Sequence, residues 1–202
     1  MHIQELKKLS WNQLQGRYWM VLLAVFLVLV ISSASSYYFV GILISGPLFV
    51  GQATYLLNIV ETDAKGEEFE RLLDGFKKSF VVSFLTYLLQ MIFIVLWMFL
   101  LIIPGIIKAL AYSQTFYIIA ENPEMSPMDV LRRSEEMMKG HKTRLFLLIL
   151  SFIGWFLLGA LALGIGIFFV LPYFQTTMAN FYVDLRGEKK RLSTDGFEES
   201  FE

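Results

Sequence analysis

The side chains best equipped for chemistry in this chain are amides and hydroxyls embedded in apolar stretches. Gln52 with Thr54, Gln114 with Thr115, and Gln175 with Thr176 and Thr177 each come after a proline, at Pro47, Pro104 and Pro172. The three glutamines are 62 and 61 positions apart, and an acid follows each, at Glu61, Glu121 and Asp184. An amide or hydroxyl held away from water needs a partner, so these residues, with Asn58 and Asn180, should face protein or water and not lipid. Two readings stay open: hydrogen-bond glue between helices, worth about 0.6 kcal/mol per contact, or a polar belt lining a path or a binding cavity.

The cations sort in a similar way. Lys108 is the single basic residue deep in an apolar stretch, where an unrelieved charge costs at least about 2.5–3.5 kcal/mol. It lies close behind Pro104, so its stem can snorkel to the outer interface; an anion or lipid headgroup is the other role open to it. Lys139, His141, Lys142 and Arg144 form a basic stretch suited to anionic headgroups. No second ligand is spaced from His141 for zinc. Glu135 and Glu136 read as the solvated face of a surface helix. Cysteine is absent, which excludes disulfides, thiol catalysis and thiolate metal sites. No Gly-rich phosphate loop, HExxH helix or nucleophile elbow occurs. No catalytic residue, metal or cofactor is therefore expected, and no enzyme. A net charge of −1 gives no reason to expect a nucleic-acid partner.

The elements that must hold these residues are membrane helices. Apolar residues make up 56% of 202 positions and mean hydropathy is +0.58, above the roughly 45–50% apolar content of soluble domains. Six stretches approach the ~20 apolar residues that cross a bilayer: Tyr18 to Ala34, Tyr37 to Val60, Phe80 to Ile103, Pro104 to Ala120, Leu145 to Leu163 and Gly164 to Val183. They pair across minimal breaks, a serine cluster (Ser32, Ser33, Ser35, Ser36), then Pro104 and Gly105, then Gly164 and Gly166. The first stretch, preceded by Lys7, Lys8 and Arg17, has some look of a signal peptide, but the next begins so soon that a hairpin is the better reading.

Basic residues set the orientation. With the N-terminus in the cytoplasm, sixteen of the seventeen Lys and Arg residues are cytoplasmic, Lys108 excepted. Trp11, Tyr18, Trp19, Tyr37 and Tyr38 then fall near the interfaces, as amphipathic rings should. Between hairpins lie amphipathic cytoplasmic helices. Phe69, Leu72, Leu73 and Phe76 follow helical spacing. Ser126 caps a helix with Pro127 first and Asp129 third, placing Met128, Leu131 and Met138 on one face. Ile3, Leu6 and Leu9 give the same hint at the start.

These segments also resemble one another. Gly16, Gly75 and Gly140 each close an amphipathic segment, and they are 59 and 65 positions apart. With the glutamine spacing, this suggests one unit used three times. The fold expected is all-α, a polytopic membrane bundle of six transmembrane helices in three hairpins around a pseudo-threefold axis. Its single domain covers 1–185, with units at about 1–61, 62–121 and 122–185. A mobile cytoplasmic tail, 186–202, is expected to follow.

Several strings together resemble a known family: Ile103 to Lys108 (IPGIIK), Tyr112-Ser113, Asn122-Pro123, Ser134 to Lys142 (SEEMMKGHK), Ser151 to Trp155 (SFIGW), Gly164-Ile165-Gly166, Pro172-Tyr173 and Phe181-Tyr182. This is the bacterial integral membrane family catalogued as domain of unknown function 975. The resemblance is densest from Phe80 to Tyr182. It implies a bacterial cytoplasmic-membrane protein of Gram-positive type, with no catalytic residues to carry over. The family in turn looks like a distant relative of the membrane domain of some glycerophosphodiester phosphodiesterases, whose soluble domain and reaction are not expected here. The function expected is a non-enzymatic scaffold or accessory component, with membrane lipids and an unidentified membrane protein as partners. The alternatives are a small transporter or channel using the polar belt, and a lipid-headgroup-binding or lipid-modifying protein.

Overall fold

The computed structural model describes residues 2–34, 40–62, 68–161 and 165–198. Ser35, Ser36, Tyr37, Tyr38, Lys65 and Gly164, which figure in the sequence reading, lie outside them. Among the described residues there is no strand. Helix α1 (Ile3–Leu14) buries Leu6, Ser10 and Leu14, one stripe at i, i+4, i+8. After a bend of 101° the chain enters α2 (Tyr18–Ala34) and then α3 (Val40–Thr62). Gly16 ends α1 at φ 84° and Gly140 ends α8 (Pro127–Met137) at φ 80°, a left-handed conformation that only glycine adopts without cost.

The second amphipathic segment departs from the helix expected of it. It is a 3-10 turn (Phe69–Leu73) followed by the five-residue α4 (Asp74–Lys78). The cause is a backbone contact. A Cβ on Gly51 of α3 would lie 1.9 Å from the Leu72 carbonyl oxygen, and one on Gly75 would lie 1.9 Å from that of Pro47. The turn thus rests directly on α3, and Gly75 takes no positive φ.

Helix α5 (Phe80–Leu100) folds back on α6 (Ile102–Ala111), which continues past a break at Tyr112–Gln114 into α7 (Thr115–Glu121). Ser126 Oγ caps α8, accepting from the Asp129 amide at 3.3 Å, with Pro127 in the first turn. The buried face of α8 is Val130, Leu131, Ser134 and Met137, with Met138 next to it; Met128, expected on that face, is exposed. It lies outside the stripe because the i, i+1, i+4, i+7 set starts at Val130. Helices α9 (Lys142–Leu161) and α10 (Ile165–Glu198) complete the chain. Helix α10 runs on through Arg186. Glu, Lys, Arg and Leu favour helix, and no proline stops it.

In the assembled bundle, α3 packs against α7 and α10. Around them, α2 lies on α3 and α10, α5 on α3 and α6, and α9 on α6 and α10. The amphipathic segments bridge units: α1 sits on α10, the 3-10 turn and α4 on α3, and α8 on α5 and α7. Burial follows this division, with 67% of Leu43–Thr62 buried but only 11% of Phe80–Leu100 and 22% of Lys142–Leu161. Phe99 and Leu161 are 90% and 86% exposed, apolar surface that a water-soluble chain does not carry on this scale.

Among the described residues, four helical stretches are long and apolar enough to cross a membrane: Leu43–Thr62, Phe80–Leu100, Ile102–Glu121 and Lys142–Leu161. The bent pair α1 and α2 makes a fifth if taken as one span. The chain is thus an all-α protein consistent with a membrane location. This count is lower than the six stretches of the sequence for two physical reasons. Helix α2 has 17 residues, the short limit of a span. The apolar run of α10 is interrupted by Gln175, Thr176, Thr177 and Asn180.

Candidate functional site

The polar residues of α3, α6–α7 and α10 divide between two environments. Gln52 and Gln175 line a cavity of about 190 Å³ with Ser113, among rings that include Phe49, Phe116 and Phe174. Gln114 is fully buried beside it, its side-chain nitrogen donating to Ser113 Oγ at 2.8 Å and its backbone N–H to Ser134 Oγ at 3.3 Å. Ser134 in turn donates to the Ala111 carbonyl at 2.8 Å, so the break between α6 and α7 is held by a side chain of α8. Thr115 turns away from the cavity and donates to Gln90 of α5 at 2.7 Å. Thr54 and Thr177 bond the carbonyls one turn back, Val50 and Tyr173. Thr176 is fully buried, and its hydroxyl and the Gln114 side-chain oxygen have no protein partner. The seven belt residues therefore form no continuous ring; three polar groups, Gln52, Ser113 and Gln175, meet at one small cavity.

Beyond the cavity, Arg186 of α10 donates to Glu61 of α3 and to Glu121 of α7, and the Tyr182 hydroxyl donates to Glu121 at 2.7 Å. Tyr182 stacks on Tyr117 with centroids 5.3 Å apart. One guanidinium thus ties α10 to the ends of α3 and α7. Asp184 instead pairs with Arg144 at the start of α9, whose guanidinium also lies 5.0 Å from the Phe181 ring centre. Burial alone would raise the Asp184 carboxyl, yet the Arg144 hydrogen bond holds it below its ordinary value of 3.8.

Lys108 has a partner on another helix. Its ammonium bonds Glu135 of α8 at 2.7 Å, with the rings of Tyr112 and Trp97 at 5.5 and 5.8 Å. Glu135 is therefore a counter-ion, where the sequence suggested a solvated face. Of the other basic candidates, Lys139 is exposed and His141 and Lys142 are half-exposed. No group of three or more His, Cys, Asp or Glu residues placed for a metal occurs among the described residues.

Sequence reasoning missed Gln90, Ser134 and Arg186. It also missed the clasp in which Asn180 donates to Ser10 at 3.1 Å and to Gln13 at 2.6 Å, locking α1 to α10. One signal was available. Ser10 and Ser134 both stand six positions before the left-handed glycine of their unit, and both receive a hydrogen bond from an inner helix.

A second hollow, about 660 Å³, opens between α1–α2 and α9–α10, walled by Trp11, Tyr18, Trp155, Phe169 and Tyr173. The Tyr18 hydroxyl donates to the Phe169 carbonyl, three residues before Pro172.

With this geometry described, residues 98–189 match the family described as Protein of unknown function (DUF975). The matched stretch takes in the polar break at Tyr112–Gln114, all of α8 and α9, and the Tyr182 and Arg186 bridge. No curated protein and no solved structure matches the chain.

Proposed function

We infer that this is a multi-pass protein of the cytoplasmic membrane, with six crossings in three hairpins and both termini inside, acting as a non-enzymatic scaffold or accessory component. The observation that carries the scaffold reading is the closed centre. Gln114 and Thr115 donate to Ser113 and Gln90, and Arg186 of α10 draws the ends of α3 and α7 together. A path for solute would need those groups free and that end open.

The repeat reading draws support from the packing order. Each outer helix touches its own inner helix and that of the preceding unit, taken cyclically, and each amphipathic segment sits on the preceding inner helix. Short apolar helices such as α2 can still cross where the bilayer thins or a neighbour covers the polar end, and Asn180 of α10 is covered by α1.

The test has two arms. A photo-crosslinking residue in place of Arg132, exposed on α8, should capture a discrete protein in native membranes. Proteoliposomes of the purified chain should leak ions and small polar solutes no faster than empty ones. The absence of any protein adduct along the exposed face of α8 contradicts the scaffold role. Flux abolished by Gln52→Leu with Gln175→Leu would establish the channel alternative, which the unpartnered Gln114 oxygen and Thr176 hydroxyl favour.

A further inference from the structure

We propose that the 190 Å³ cavity between α3, α7 and α10 binds one small, planar, uncharged molecule that carries a donor and an acceptor side by side, a lactam or heteroaromatic amide. The first ground is a pair of idle amides. Gln52 of α3 is only 5% exposed, and neither its amide nor that of Gln175 on α10 has a hydrogen-bond partner among the described residues, although both residues line the cavity. An amide shut away from water and left unpaired costs more than a made hydrogen bond returns, so an occupant that pairs with both is favoured. The Ser113 hydroxyl gives its proton to the Leu110 carbonyl at 2.8 Å and accepts from Gln114, which leaves it at most a lone pair. Tyr117 of the wall stacks on Tyr182, and its hydroxyl has no partner among the described residues.

The second ground is what surrounds these groups. Phe49 and Phe116 touch each other at 5.2 Å, while Phe174 makes its ring contacts with Phe152 and Phe156, so two separate ring groups border the cavity. No wall residue carries a charge, and an ion would enter without a counter-charge to offset its lost hydration. Water fits the space but not the walls. The volume holds about six water molecules, each needing about three polar partners, and a few amides and hydroxyls among aromatic faces do not supply them. A flat ring does fit, its faces against the phenyl groups and its edge at the amides. A primary amide presents N–H and C=O side by side, the arrangement by which glutamine grips the edge of a base with two hydrogen bonds. At an interior packing density of about 0.75 the space takes about 140 Å³ of matter, the size class of a single heterocycle. The third ground is the backbone. The inner helix of the second unit breaks at Tyr112–Gln114, where Ser113 lines the cavity, whereas α3 and α10 run unbroken past it. Broken helices of this kind build ligand sites in membrane proteins. The proposal is independent of the scaffold reading, because a closed centre can hold a molecule that it does not pass.

The test uses the full chain in nanodiscs, with uracil, the plainest planar lactam, as the probe and titration calorimetry as the readout. Uracil should bind saturably at one site per chain. Dimethyluracil, with both nitrogens methylated, and orotate, which adds a carboxylate, should each bind at least about tenfold more weakly, since one hydrogen bond is worth roughly a decade in affinity. Gln52→Leu and Gln175→Leu should each weaken uracil by about the same factor, and Ala53→Leu, which fills the space, should abolish binding. Thr54→Val, which removes a hydroxyl bonded to its own helix at Val50, should change nothing. Melting curves show whether each variant is folded, and the comparison of the three probes needs no variant at all. Absence of saturable uracil binding to the unaltered chain overturns the proposal and leaves water as the occupant. Equal binding of uracil and dimethyluracil overturns it as well, as does binding undiminished in both folded glutamine variants. None of these readouts involves a protein partner, so the scaffold reading stands or falls separately.

Discussion

Arg186 is the residue on which the inner end of the bundle depends. Its removal leaves Glu61 and Glu121 facing each other without a counter-charge, and hydrogen bonds to charged groups are worth about 1.5–3 kcal/mol. Arg186→Gln should lower the melting temperature in detergent by several degrees, and adding Glu121→Gln should recover part of the loss. Full additivity of the two losses would mean no bridge. The Arg144–Asp184 pair predicts a pH effect. A carboxyl held below its ordinary value stabilises the fold above that value, and the contribution is lost as pH falls through the lowered one. Melts in detergent should show a loss of stability below about pH 4 that Asp184→Asn removes; an unchanged acid limb in Asp184→Asn contradicts the pairing. The three acids were legible in the sequence by their position after each glutamine, but their partners were not. Arg186 and Arg144 are separated from them by 40 to 125 residues, except for neighbours on α10 itself, and no local pattern reports such contacts.

Among the elements, the packing of the 3-10 turn on α3 makes the sharpest demand. Gly51→Ala and Gly75→Ala each drive a methyl into backbone, where no side chain can swing aside, and overpacking of this kind costs about 1–3 kcal/mol or more. Gly154→Ala, with nothing within 4 Å, should be neutral or slightly stabilising. Equal melting temperatures for all three variants would show that the turn does not rest on α3. Helix positions were well read from apolar runs, and the α8 cap from Ser126, Pro127 and Asp129, because both signals are local. The stretch Phe69–Lys78 was read as one α-helix because Phe69, Leu72, Leu73 and Phe76 keep helical spacing, while its first half is a 3-10 turn whose contact with Gly51 lies on α3. The counter-ion of Lys108 was not legible for the same reason, since it lies on another helix.

At the scale of the molecule, inner helices are buried and outer ones are not, so the lipid-facing and protein-facing surfaces separate as a bundle in a bilayer requires. The sequence carried the all-α class through its composition and the length of its apolar runs. It left the choice between polar belt and glue open, because spacing cannot say that Thr115 turns to Gln90 while Gln52 and Gln175 meet. The chain has no cysteine, so single cysteines give an unclouded readout of its course across the membrane. The most direct measurement is labelling of Ile103→Cys, 72% exposed in the first turn of α6, and of Gly140→Cys by an impermeant maleimide on intact cells. The account predicts that position 103 reacts from outside and position 140 only after the membrane is opened. Reaction of both without opening, or of neither until it is opened, contradicts it.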